Sequence, residues 1–378
     1  MTSGYNDVWL TNPELQGEMY KKFQEDIDHN RLSYINALEL PEKMRKVQVG
    51  TTPRERIWSR NKAVLYRYHL PEDLDSLVKT GQKKPRVPLL IVYALINKSY
   101  VLDLRPGSSF IAYMLQRGFD IFLLDWGTPA EEDANLNFED YVLGYIRRAV
   151  QKVRQTAGVK EYSLLGYCMG GTLSTLYTAT FTDDPPQNLI LLASPIDFDQ
   201  PNTFRVWLQD KYFDVDAMVN TLGLVPGEMI DFGSKMLKPF QNYVQSYMDL
   251  HGKLWDDKFV DSWVAMNKWV NDGIPMAGAT FRRWVIDFYR GNKLVRGEMK
   301  LGDKHVHLQN IRCGLLNVIA ERDHIVPPAM SKTTTIMAGG DDKTELNIPA
   351  GHVGMVAGRG AVKQLWPTIA DWLEKRSQ

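Results

Sequence analysis

Cysteine is nearly absent from this chain, with two in 378 residues, Cys168 and Cys313. Their spacing fits no zinc or haem pattern, so no metal site is expected. Neither sign of charge dominates: 45 basic residues balance 45 acidic ones. No block of like charge stands out, which argues against nucleic acid as a partner. No run of about 18 apolar residues exists, so no transmembrane helix is expected. Met1 to Leu10 lacks the basic start and apolar run of a signal peptide. There is no internal repeat and no low-complexity segment. What is present is 44% hydrophobic residues, ample for a large buried core.

The most informative segment is Gly166-Tyr167-Cys168-Met169-Gly170. It follows the apolar run Tyr162 to Leu165 and leads into Gly171 to Leu176, which reads as a helix. A strand, a sharp Gly-x-nucleophile-x-Gly turn and a helix make the nucleophile elbow of α/β-hydrolases. Cys stands where most such enzymes have Ser, which points toward acyl transfer through a thioester. A disulfide would disable that thiol, so a reducing cytoplasm is expected.

Elsewhere the pattern supports this fold. Ala63–Tyr68, Val87–Leu95, Phe119–Trp126 and Asn188–Ser194 read as strands, and Glu139–Thr156 as a helix. From about Phe198 to Leu308 the alternation stops and the stretch is rich in Trp, Tyr, Phe and Met. Most of those aromatics are expected in the core, with some lining an acyl pocket. Alternation resumes with a strand at Cys313–Ala320, a helix at Pro327–Met337, a strand at Thr344–Ile348 and a closing helix at Ala361–Lys375. The expected architecture is an α/β-hydrolase fold, a mostly parallel sheet flanked by helices, with an inserted cap domain. Its parts are an N-terminal helical extension (1–61), a first core segment (62–197), the cap (198–308) and a second core segment (309–378).

Asn12-Pro13-Glu14 reads as a helix start, with a capping Asn and Pro at the first helical position. Leu15, Met19, Phe23 and Ile27 then form one apolar stripe. It suits a helix packed on its own domain, with partner binding as the alternative.

A Cys nucleophile needs a base, and the base an acid to orient it. In this fold the chain order is nucleophile, acid, base, the last two on loops after late strands. Glu321-Arg322-Asp323-His324 follows the strand ending at Ala320, and Gly351-His352-Val353-Gly354 follows the one ending near Ile348. Cys168, Asp323 and His352 therefore occupy the three places, with Glu321 as the alternative acid and His324 as the competing base. Cys313 has no comparable frame and reads as a core residue. The Met169 backbone N–H should form one half of an oxyanion hole, and the Ile96 or Asn97 amide the other.

With these residues in view, the chain resembles the catalytic subunit of polyhydroxyalkanoate synthases of the short, two-subunit kind, classes III and IV. The resemblance runs from about Thr51 to the C-terminus; the first fifty residues match less well. It rests on Tyr93-Ala94-Leu95-Ile96-Asn97, Tyr100 to Leu104 with Pro106-Gly107, Asp125-Trp126-Gly127, Gly166 to Gly171, Asp323 to Pro327 and Gly351 to Gly354. The family's catalytic Cys, Asp and His fall on Cys168, Asp323 and His352, and its second histidine on His324. His324 and Asn97 are expected to contact substrate. The resemblance implies polymerisation of (R)-3-hydroxyacyl-CoA, with 3-hydroxybutyryl-CoA as the expected substrate, into a polyester with release of CoA. It implies no cofactor, coenzyme A being part of the substrate and product. It also implies an accessory synthase subunit, a growing polyester chain held by the enzyme, and residence on granule surfaces during synthesis; a homodimer stays open. Two rivals remain: a Cys-dependent hydrolase or acyl-CoA thioesterase, which would share the triad, and a non-catalytic granule scaffold, which would have no use for it.

Overall fold

The computed structural model describes residues 13–71 and 87–377. The chain groups into two compact units, one built from residues up to Gln48 with Lys238–Lys268, the other from Val49–Leu237 with Trp269–Gln378.

In the larger unit, eight strands form one sheet. They are β1 (Arg54–Arg60), β2 (Ala63–Tyr68), β3 (Leu89–Val92), β4 (Ile121–Asp125), β5 (Ser163–Tyr167), β6 (Asn188–Leu192), β7 (Gly314–Ala320) and β8 (Lys343–Ile348). Their order is β1-β2-β4-β3-β5-β6-β7-β8. Only β2 runs against the rest, pairing antiparallel with both neighbours. From β4 to β8 every pairing is parallel. β3, β5 and β6 are buried along their whole length. Parallel strands covered by helices on both faces lose the alternation of a half-exposed sheet and read as continuous apolar runs, as Leu-Leu-Ile-Val and Asn-Leu-Ile-Leu-Leu do here. The expected strands all occur: Ala63–Tyr68 keeps its bounds, the last strand begins one residue earlier at Lys343, and the strands expected at Val87–Leu95, Phe119–Trp126, Asn188–Ser194 and Cys313–Ala320 are shorter by one to three residues at one or both ends.

Two expected boundaries are corrected. β1 lies inside the stretch assigned to an N-terminal helical extension; Arg-Glu-Arg-Ile-Trp-Ser-Arg has charged residues on an exposed edge and little apolar signal. The expected cap is not one body either, because residues 238–268 belong with the N-terminal helix.

That helix spans Pro13–Lys46. Its proposed cap, Asn12, lies outside the described residues, as do Met1 to Leu10. Within the smaller unit, buried Asn36 donates to the Leu254 carbonyl at 2.7 Å and to Asp257 at 2.8 Å. Lys43 pairs with Asp257 and Asp261, and Leu40 and Val47 pack on Leu250, Val260 and Val264. These contacts come from the helix from His29 onward, His29 stacking on Trp255. Met19, Phe23 and Ile27 are exposed, so the predicted packing of that stripe on its own domain is not what the fold does. The Leu15 side chain lies outside the description.

In the larger unit, the aromatic part of the insertion forms a close cluster. Phe198 meets Trp284, Phe288 and Tyr289 edge-on, at centroid distances of 5.1, 5.4 and 4.9 Å. Phe138 stacks beneath Trp284. Among the described residues no helix is long and apolar enough to cross a membrane.

Candidate active site

β3, β5, β7 and β8 are parallel, so the loops after all four leave the same edge of the sheet. In open α/β sheets this carboxyl edge is where ligands bind. The chain reaches it at Val92, Tyr167, Ala320 and Ile348, and the residues just beyond include Tyr93, Cys168, Asp323 and His352.

Cys168 sits between β5 and the helix Met169–Thr180 with φ 54° and ψ −128°. A side chain at positive φ costs about 1–3 kcal/mol and persists only where the surroundings enforce it. Here they do. The Cys168 N–H donates to the Leu192 carbonyl at 2.9 Å, and its carbonyl accepts from the Gly171 N–H at 2.9 Å. The flanking glycines are steric requirements. A Cβ on Gly166 would stand 2.6 Å from the Gly170 oxygen, and one on Gly170 would meet the Val92 carbonyl and lie 2.7 Å from the Tyr93 carbonyl carbon. One on Gly171 would strike Ser194.

His352 Nδ1 and Asp323 Oδ2 are 2.6 Å apart. The other carboxylate oxygen of Asp323 accepts from the Ile325 and Val326 N–H groups at 2.9 and 2.8 Å. Those two bonds fix the carboxylate, and the carboxylate fixes the ring through Nδ1. All three residues are buried, Cys168 at 8% exposure and the other two at 6%. Burial would pull the His352 pKa down. The charges of Asp323 and Cys168, and the hydrogen bonds to both, outweigh it and hold the pKa well above the usual histidine value. These surroundings thus favour the protonated form of the His352 ring.

Glu321 is exposed, and His324 flanks Asp323 half-buried. His29 stacks on Trp255, His69 pairs with Glu55, and His305 stacks on His307. Cys313 lies one residue before β7, and burial pushes its thiol up to about 12.

Met169 opens the elbow helix and is buried. Ile96 and Asn97 are half-buried in the loop after β3. The Ile96 carbonyl accepts from the Ile274 N–H at 3.2 Å, and Asn97 bridges to Gly273.

Sequence reasoning passed over three tyrosines. Tyr167 donates its hydroxyl to the His352 carbonyl at 3.2 Å, and its ring lies 5.2 Å from the imidazole. Tyr93 packs on Tyr167 at 5.7 Å. Tyr289 is buried, and burial together with the nearby Cys168 charge raises its pKa. Tyr167 had a local signal in its place inside the elbow and Tyr93 in the motif it opens; Tyr289 had none.

Comparisons with known proteins identify the family and the fold. A family described as "alpha/beta hydrolase fold" matches residues 87–336, and one described as "Poly-beta-hydroxybutyrate polymerase (PhaC) N-terminus" matches residues 21–114. The poly(3-hydroxyalkanoate) polymerase subunit PhaC of Allochromatium vinosum is 37% identical over 357 residues, covering 94% of this chain and 98% of that protein. The chain belongs to the poly(3-hydroxyalkanoate) polymerase family. The subunit of the same name from Synechocystis is 37% identical, with 87% of this chain and 86% of that protein covered. The one from Haloferax mediterranei is 34% identical, with 97% and 72% covered. Among solved structures, a putative lipase from Sulfolobus solfataricus superposes with a TM-score of 0.50 at 12% identity, covering 85% of this chain and 97% of that one. That likeness is one of fold alone. The polymerase family and the α/β-hydrolase fold are therefore both established for this chain, as its motifs predicted.

Proposed function

We propose that this chain polymerises (R)-3-hydroxyacyl-CoA, 3-hydroxybutyryl-CoA in the first place, into a polyester with release of CoA. The observation that carries the reading is a cysteine at the elbow whose partner imidazole is held by a carboxylate at 2.6 Å, in a chain of the polymerase family. Cys168 is the nucleophile. His352 takes the thiol proton, and the thiolate attacks the thioester carbonyl carbon. The carbon–sulfur bond to CoA breaks, and the departing CoA thiolate takes the proton back from His352. The acyl group stays a thioester, so little of its transfer potential is lost, whereas a serine ester would be a poorer donor.

In elongation, the 3-hydroxyl of the next hydroxyacyl-CoA attacks the Cys168 thioester. Its proton passes to His352, with Asp323 stabilising the imidazolium, and the thiolate leaves. The chain is then one ester longer and still a CoA thioester, and it returns to Cys168 with loss of CoA. The developing oxyanion is met by the Met169 N–H and by the Ile96 amide, with Asn97 as the alternative donor. Asn97 and His324 contact substrate. The aromatic cluster of Phe198, Trp284 and Tyr289 offers an apolar wall for the acyl group and helps exclude water, which would divert synthesis to hydrolysis. The tethered polyester holds the enzyme on the granule surface, and an accessory synthase subunit activates it, the exposed Met19, Phe23 and Ile27 stripe serving as its contact.

The test is CoA release from 3-hydroxybutyryl-CoA with the product identified, with and without each type of accessory subunit. Polymer with CoA release, enhanced by one accessory type, is the expected result. Free 3-hydroxybutyrate in step with CoA would instead make the chain a thioesterase.

A further inference from the structure

The loop after β3 carries a buried polar group that the chemistry above does not use. Tyr93 is 1% exposed, and its hydroxyl has no hydrogen-bond partner among the described residues. A buried hydroxyl without a partner loses its hydrogen bonds to water and gains none in return. Such groups in a native structure call for a specific explanation. The nearby Trp269 indole does not supply one, because its single N–H is directed to the Lys98 carbonyl at 2.8 Å.

The position of Tyr93 points to a ligand. It is the first residue past the carboxyl end of β3, the strand beside β5. Its carbonyl carbon lies against Gly170 of the elbow, and its ring packs on Tyr167, the residue before the nucleophile. Burial, and after it the charge of Cys168, keep the phenol protonated far above its ordinary range. Tyr93 is therefore a permanent donor, close to the nucleophile and without an internal acceptor.

A hydroxyacyl group on Cys168 presents two kinds of oxygen. The carbonyl oxygen faces the backbone amides of the elbow. The oxygen on C3 is the one that sets this substrate class apart from plain acyl thioesters. In the first unit it is a hydroxyl, and in later units an ester oxygen that has no proton to give. A group that must bind both forms has to be a donor, which Tyr93 is. We propose that the Tyr93 hydroxyl donates a hydrogen bond to the C3 oxygen of the acyl group on Cys168 and so selects 3-hydroxyacyl thioesters over plain acyl thioesters. This inference rests on the polymerase reading for its substrate class. Loss of a matched donor discriminates strongly between substrates that differ by one hydroxyl.

The experiment compares the full-length chain with Tyr93→Phe, which keeps the ring and removes only the oxygen. Single-turnover CoA release is measured with 3-hydroxybutyryl-CoA and with butyryl-CoA, and Tm is measured for both proteins. The ratio of the two acylation rates should fall at least tenfold in Tyr93→Phe, the 3-hydroxybutyryl rate alone accounting for the change. Tm should be unchanged or higher, since the hydroxyl has no internal bond to lose. An unchanged ratio overturns the proposal, and so does an equal fall with both thioesters. A lower Tm with the ratio preserved would make the hydroxyl structural and overturn it too. Product identity is read separately: a wild-type chain that yields free acid contradicts the polymerase reading while the Tyr93 ratio is still measured.

Discussion

The Tyr167 hydroxyl donates to the backbone carbonyl of His352 at 3.2 Å. The residue before the nucleophile thus holds the loop that carries the base, from 185 positions away in sequence. Tyr167→Phe should lose one neutral hydrogen bond, about 1 kcal/mol of stability. It should also lower the acylation rate by about tenfold, because a slightly misplaced base is a poor one. Thermal unfolding and single-turnover CoA release check the two effects. A loss of stability with unchanged acylation would show that the bond supports the loop alone.

Asp323 and His352 are predicted to separate the two halves of the reaction. His352→Gln should lose acylation itself, by about 10²–10⁴-fold, the span of general-base catalysis. Asp323→Asn should keep measurable single-turnover acylation while sustained polymerisation is lost. Equal loss of both steps in Asp323→Asn would reduce its role to orienting the ring.

The raised pKa of His352 makes a prediction about pH and stability. Its proton is held more tightly in the folded chain than in the unfolded one, whose histidine titrates near about 6.5. The stabilisation is therefore fully present below about pH 6.5 and is lost as pH rises through the higher folded value. The Tm advantage of wild type over His352→Gln should shrink as the solution is made alkaline. In a Cys168→Ala background the contribution of Cys168 to the raised His352 pKa is gone, so the shrinkage should begin at lower pH. Tm series across pH for these variants provide the check; an advantage that grows with pH would contradict the assignment.

How much of this was readable beforehand follows from how local each cause is. The elbow was legible because its glycines are required by collisions within five residues and with Val92 and Ser194. Asp323 and His352 were legible from chain order, each following a recognisable strand. β1 was missed because an edge strand with four charged residues in seven has no apolar pattern. The association of residues 238–268 with the N-terminal helix depends on Asn36 and Lys43 meeting partners more than 200 positions away, which no periodicity reveals. The same is true of Tyr93. Its motif was visible, but a hydroxyl without a partner becomes apparent only when its neighbours are in place.

The covalent intermediate is the centre of the account, and peptide mass spectrometry tests it most directly. The chain is incubated with 3-hydroxybutyryl-CoA, quenched in acid and digested. The account predicts one or more 3-hydroxybutyryl units on the peptide containing Cys168. None are expected on the peptide containing Cys313, whose thiol is pushed up to about 12 and stays protonated at neutral pH. Cys168→Ala should carry no acyl group and release no CoA, and Cys313→Ala should behave as wild type. Turnover with Cys168 unmodified, or activity retained in Cys168→Ala, would contradict the account.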